Sequence, residues 1–171
     1  MSRLGLRLML SSSLIALAAC GADFEASSST KAAVTLGVDV LLGQRIELVE
    51  GLRVGLLTHP AGVDGASVPT VDRLAADERV NLVQLFGPEH GVRGDVPAGE
   101  DVEDARDALT GIPSESLYGA RRRPTEESLA RIDVLLIELQ DVGARMYTYI
   151  STLGEVMSAA GEAGVKVVVL D

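Results

Sequence analysis

From Val34 onward the chain alternates between two hydrophobic rhythms. Four short runs, 53–58 (RVGLLT), 81–86 (NLVQLF), 133–139 (DVLLIEL) and 166–170 (KVVVL), hold near-continuous Val, Leu and Ile. Each is bounded by Gly, Pro, Asp or Asn, the punctuation of β-strands. The apolar positions do not alternate with polar ones, which predicts strands buried on both faces, as in a parallel sheet. Between them the period lengthens. Residues 69–78 place Val71, Leu74 and Ala75 on one helical face. Residues 125–131 form a short predicted helix, with Pro124 before it and two glutamates in its first turn. The clearest helix is 151–163, with Leu153, Val156, Met157 and Ala160 as its buried stripe. Thr152 and Glu155 have the spacing of a capping box, and Gly164 is a C-terminal stop. Strand–helix alternation of this kind predicts an α/β fold, a parallel sheet with right-handed crossovers and flanking helices.

Three stretches depart from the rhythm. Residues 87–124 exceed an ordinary connection, since loops longer than roughly 15 residues usually carry function or lack structure. Residues 21–33 are small, polar and Ser-rich, the composition of a flexible tether. Before them, Arg3 and Arg7 precede an apolar run from Leu8 to Leu17, and Leu17-Ala-Ala-Cys20 follows. A charged start, a short apolar middle and small residues before a cleavage point define a secretory signal. Roughly 18 apolar residues are needed to span a bilayer, and this run is too short and too rich in serine. Cys20 at the cleavage point marks a lipoprotein signal, and it is the sole cysteine of the chain. Gly21 rather than Asp after it directs a Gram-negative lipoprotein to the outer membrane. The expected organisation is a signal peptide over 1–19, a tether over 20–33, and the N-terminal part of an α/β domain over 34–171. Asp171 directly follows a buried strand with no helix to cover it, so the chain is expected to be a piece cut after its fourth predicted strand.

The net charge of −10 becomes −12 once Arg3 and Arg7 leave with the signal, with 13 basic against 25 acidic side chains remaining. That balance argues against nucleic acid and anionic lipid as partners, because phosphate binding needs clustered Lys and Arg. Contact with the membrane is expected through the lipid anchor only. No G-x-G-x-x-G follows a strand and there is no Walker pattern, so no nucleotide cofactor is indicated.

In a parallel sheet, ligands bind outside the carboxyl ends of the strands. The first run is followed by Thr58-His-Pro-Ala-Gly62, the second by Gly87-Pro-Glu-His-Gly-Val-Arg-Gly-Asp95, and the third by Gln140-Asp-Val-Gly-Ala-Arg-Met-Tyr-Thr-Tyr149. Both histidines and two of the three tyrosines of the chain lie in these segments. Glu89 sits in a Gly-flanked turn just past a buried strand, where partial desolvation raises a carboxyl toward the range of a general acid. Asp141 is a second carboxylate, a sugar-hydroxyl acceptor, or the cap of a turn into the next helix. Arg145 binds a substrate carboxylate bidentately or pairs with Asp141. Tyr147 and Tyr149 alternate, so one belongs to the core and the other to the cleft. His59, Glu89, His90 and Asp95 match no standard zinc spacing, and no metal is expected.

The segments 54–58 (VGLLT), 85–95 (LFGPEHGVRGD), 116–119 (SLYG) and 139–152 (LQDVGARMYTYIST) resemble the NamZ-type exo-β-N-acetylmuramidases. The resemblance runs from about Val34 to Asp171. It implies a Rossmann-like domain followed by a second, smaller one, and hydrolysis of N-acetylmuramic acid from the non-reducing end of peptidoglycan fragments. It makes Glu89 the catalytic candidate and implies neither metal nor nucleotide. Glycosidases of this kind use two carboxyl groups, so Asp141 is the candidate for the second. His59, His90, Arg93, Asp95, Arg145, Tyr147 and Tyr149 are the candidates for binding muramic acid saccharides, with Arg93 or Arg145 receiving the lactyl carboxylate. The sequence departs from the family at Thr58-His-Pro-Ala-Gly62, where relatives often carry Thr-Asn-Gln-Thr-Gly, so His59 replaces an amide. Ser114-Glu115 stands where Val-Tyr is common. The alternative reading is a non-catalytic muropeptide-binding lipoprotein that uses the same cleft.

Overall fold

A computed structural model describes residues 34–170. The expected signal peptide, Cys20 and the expected tether lie outside the described residues. The elements are α1 (Gly37–Gln44), a 3-10 turn (Ile46–Leu48), β1 (Arg53–Leu57), α2 (Thr70–Ala76), β2 (Asn81–Gly87), β3 (Ala105–Arg106), β4 (Pro113–Ser116), α3 (Glu126–Leu129), β5 (Val134–Ile137), α4 (Tyr149–Ala163) and β6 (Lys166–Val169). Six strands form one sheet in the order β3-β4-β2-β1-β5-β6. All neighbours pair in parallel except β3, which runs antiparallel to β4. The expected α/β fold with a parallel sheet and flanking helices is therefore present. From β1 the chain moves outward through β2 to β4, then returns to the other side of β1 as β5 and β6. The strand order reverses between β1 and β5, which makes that junction the topological switch point.

Strand periodicity divides the core into two layers. Val54, Leu56, Val134 and Leu136 face α1 and α2, packing on Val38, Leu41, Val71 and Leu74. Leu57, Leu135 and Ile137 face α3 and α4, packing on Leu129, Val156, Ala159 and Ala160. An irregularity in the β1–β2 register pairs Val54 with Leu82 and Gly55 with Gln84, leaving Val83 over. The extra residue shifts the alternation of β2 by one. Leu82 and Leu85 consequently share the α1/α2 layer, while Phe86 packs in the other. Gly55 has no side chain for a packing reason: a Cβ there would lie 2.8 Å from Ile132 Cδ1.

Several elements differ from the sequence reading. The long segment 87–124 contains β3 and β4, and β4 extends the sheet beyond β2. Helix α4 begins at Tyr149, so Thr152 lies inside it and donates to Thr148 O (3.3 Å) instead of forming a capping box with Glu155. Met157 is exposed, because the packed face of α4 runs through Val156, Ala159 and Ala160. Strand β6 is an edge strand among the described residues, with Val169 54 % exposed, and is not buried on both faces. The stop at Gly164 does form: its φ of 69° is left-handed, and Val165 N–H donates to Ala160 O (2.8 Å). This conformation suits glycine, which closes helices this way.

Candidate active site

The carboxyl ends of β1, β2, β4 and β5 each deliver polar side chains, and two clusters form. The first is built on the switch point. His59, one residue beyond Thr58 at the end of β1, is buried, and its ring meets Tyr149 edge-on with centroids 4.9 Å apart. Its Nε2 contacts the Gln140 side-chain oxygen and lies 3.3 Å from the Gln140 backbone N–H. A protonated Nε2 donates to the former, and an unprotonated one accepts from the latter. Burial lowers the basicity of this imidazole, and the Gln140 contact offsets part of the effect. Tyr149 in turn meets Tyr147 edge-on at 4.8 Å. Burial foremost, and then Tyr147, push the Tyr149 hydroxyl up to about 12, so it stays neutral. Tyr149 belongs to the core and Tyr147 is half-buried.

The second cluster surrounds Glu89. Strand β2 ends at Gly87, where a Cβ would lie 3.1 Å from both Gly91 Cα and Val92 N, so only glycine lets the turn fold back this closely. Gly91 N–H closes the turn on Pro88 O (2.9 Å). Half-buried Glu89 projects from it and accepts from Thr148 Oγ1 (3.3 Å). Tyr118, carried past the end of β4, lies near enough to Glu89 for that carboxylate to push its hydroxyl pKa up. Thr148 lies between Tyr147 and Tyr149, so the two clusters share one segment. Glu89, Thr148, Tyr118, Tyr147 and His59 thus come to the same end of the sheet from four separate segments.

Other expected site residues are placed elsewhere or given other work. Arg93 is committed to two carboxylates: it donates to Asp72 (2.7 and 2.9 Å) and to Asp107 (2.7 and 2.9 Å). With four of its five N–H donors so engaged, this guanidinium has no free fork to grip a substrate carboxylate bidentately. His90 has a φ of 73°, uncommon for a residue with a side chain. Its Nδ1 meets Val96 O (3.0 Å), so its ring staples its own loop. Asp95 is exposed and lines, with Arg93, Glu100, Asp101 and Glu103, a separate acidic cavity of about 630 Å³. Asp141 accepts from Gly143 N–H (2.7 Å) and from Ile150 N–H in the first turn of α4 (3.2 Å), the turn-capping role among its three readings. Arg145 is exposed and pairs with no carboxylate among the described residues. Among the described residues no group of three His, Cys, Asp or Glu side chains converges as a metal site.

Gln140, Thr148, Tyr118 and Glu138 are absent from the sequence-derived set. Glu138 carried a usable signal, being an acidic residue inside an otherwise apolar run at a strand end. It is 2 % exposed. Burial pushes its pKa up, with Thr70 and Thr58 opposing the shift.

An open, mostly parallel sheet that gathers a half-buried carboxyl, hydroxyls, an amide and tyrosine rings at the carboxyl ends of its strands defines a Rossmann-like α/β domain. The chain belongs to the NamZ exo-β-N-acetylmuramidase family: the profile of its N-terminal region matches residues 54–171. It is 43 % identical over 157 residues to the peptidoglycan β-N-acetylmuramidase NamZ of Bacillus subtilis (strain 168), covering 92 % of this chain and 38 % of that protein. Two crystal structures of DUF1343 family proteins from Bacteroides fragilis NCTC 9343 share the fold. One has TM-score 0.73 at 50 % identity and the other 0.65 at 29 %, each covering 80 % of this chain and 34 % of its own. The chain therefore spans well under half the length of these relatives.

Proposed function

We propose that the whole protein is a glycoside hydrolase that releases N-acetylmuramic acid from the non-reducing end of peptidoglycan fragments, with Glu89 as its general acid. The observation that carries this reading is the Glu89 carboxyl itself. It stands half-buried past the end of β2, hydrogen-bonded by Thr148 and with Tyr118 nearby, on the side of the segment that carries the edge-on Tyr147–Tyr149–His59 rings. A general acid must reach the glycosidic oxygen and keep its proton until the bond breaks. Aromatic rings and fixed hydroxyls suit the apolar faces and polar edges of a sugar. The activity in the name of the B. subtilis relative supports the same reaction class. Of the two arginines expected to receive the lactyl carboxylate, Arg145 is the unpaired one, which favours it.

Glu89→Gln in the protein at the length of its relatives tests the assignment. Release of muramic acid from a chromogenic muramide should fall by about 10²-fold or more while the saccharide still binds. Undiminished release removes Glu89 from the mechanism. Cys20 is proposed as the lipid attachment point that holds the enzyme in the cell envelope. Labelled palmitate should enter the wild type and not Cys20→Ala, and equal labelling of both would refute the anchor.

A further inference from the structure

The buried carboxyl of Glu138 has no part in the reaction above, yet it lies directly beneath the turn that carries His59. Strands β1 and β5 run in register as far as Leu57 and Ile137, and Glu138 N–H donates to Leu57 O (2.9 Å). Following the alternation of Val134 and Leu136, its side chain turns to the layer of α1 and α2. Three groups close over it. Thr58 Oγ1 donates to Glu138 Oε2 (3.2 Å). The Gly62 backbone lies against it so tightly that a Cβ would fall 2.6 Å from Oε2 and 2.2 Å from Thr58 Oγ1. Thr70, fully buried at the start of α2, lies close enough for its hydroxyl to oppose the rise in the Glu138 pKa, although that hydroxyl completes no hydrogen bond among the described residues.

Two residues further along the same chain direction, Gln140 holds the ring of His59. The extension of β5 therefore grips the 58–62 turn at two points, Glu138 under Thr58 and Gly62, and Gln140 at His59. The turn is also held by backbone bonds, Gly62 N–H on His59 O (2.9 Å), Thr70 N–H on Gly62 O (3.0 Å) and Thr58 N–H on Phe86 O (3.3 Å), and by Thr58 Oγ1 on His59 O (3.5 Å). We propose that Glu138 is a positioning residue, which seats the Thr58–Gly62 turn on β5 and so aims the His59 imidazole at the cleft. Thr58 and Gly62 seal it from the substrate side, so it is not the second carboxyl of the glycosidase.

The placement rests on geometry alone, and only its kinetic consequence rests on the function proposed above. The chain has two histidines, so the ring signals of His59 can be followed directly by ¹⁵N NMR. Glu138→Gln keeps the shape and the hydrogen bonds, and should leave those signals and KM unchanged. Glu138→Ala should move the His59 signals and, in the full-length enzyme, raise KM by about tenfold with a smaller change in kcat. Gly62→Ala forces a methyl into the same junction from the other side and should shift the same signals, and it decides the matter if Glu138→Ala does not fold. Unmoved His59 signals in a folded Glu138→Ala or Gly62→Ala protein overturn the proposal, as does damage by Glu138→Gln equal to that of the alanine. A wild-type protein that releases no muramic acid refutes the hydrolase reading, while the ring signals still decide the role of Glu138.

Discussion

Glu89 and Glu138 stand at the ends of strands separated only by β1, and their surroundings set them apart. Glu89 projects from a turn, half-buried, where Thr148 meets it and Tyr118 lies near. Glu138 is enclosed, and desolvation disfavours its charged form. The folded state therefore binds this proton more tightly than the unfolded chain, whose ordinary value is 4.5. The stability tied to it is fully present below that value and is lost as pH rises through the elevated folded value. His59 has the opposite sign: its depressed basicity leaves its contribution intact above 6.5 and lost as pH falls through the folded value. Glu138→Gln, which cannot ionise, should thus melt higher than wild type at pH 8, with the gap closing below about pH 4. Thermal denaturation at the two pH values measures this. A gap of the same size at both would show that Glu138 holds no raised proton.

At the level of elements, legibility followed burial. The runs that became β1, β2 and β5 were readable because both their faces meet helices, leaving nearly every position apolar. Strand β4 (Pro-Ser-Glu-Ser) was not readable, because it is strand by virtue of its pairing with β2. Its Glu115 faces Thr125, accepting from the backbone N–H (2.8 Å) and Oγ1 (3.0 Å) at the start of α3. The start of α4 was misread for a related reason. Its acceptor comes from Asp141, nine residues before Ile150, a separation that local capping rules do not reach. Glu89, His59 and the tyrosines do come to the carboxyl ends of the strands, a placement legible in the sequence because strand ends announce themselves. The pairing of Arg93 with Asp72 and Asp107 was not legible, because those partners are distant in sequence. The capping geometry also separates the readings of Asp141. Asp141→Ala should destabilise the domain by about 1 kcal/mol, and Asp141→Asn, which keeps an acceptor, by less. Urea titration measures both. If Asp141→Asn is stable and inactive in the full-length enzyme, Asp141 is the second carboxyl, and if it is stable and active, the residue is a cap.

At the scale of the molecule, the two edges of the sheet are unequal. On one side β3 is two residues long, antiparallel and paired against Pro113, which offers little for another chain to extend. Short strands and proline are ordinary ways of blunting an edge. On the other side β6 presents Lys166-Val-Val-Val169, four residues in parallel register with β5 and unpaired on the outer side among the described residues. Val169 is 54 % exposed there, and Ile150 and Met157 of α4 are also exposed at 63 % and 48 %. A β-branched strand with free backbone groups and apolar neighbours is a template for pairing. The 171-residue chain should therefore self-associate as its concentration rises, through this edge and not through β3. Val169→Lys adds a charge at an already exposed position, so it should reduce association while changing stability by no more than about 0.5 kcal/mol. Sedimentation velocity over a concentration series distinguishes the outcomes. Association that persists undiminished in Val169→Lys would place the contact elsewhere on the molecule, and a wild-type chain that stays monomeric throughout would mean the β6 edge is inert.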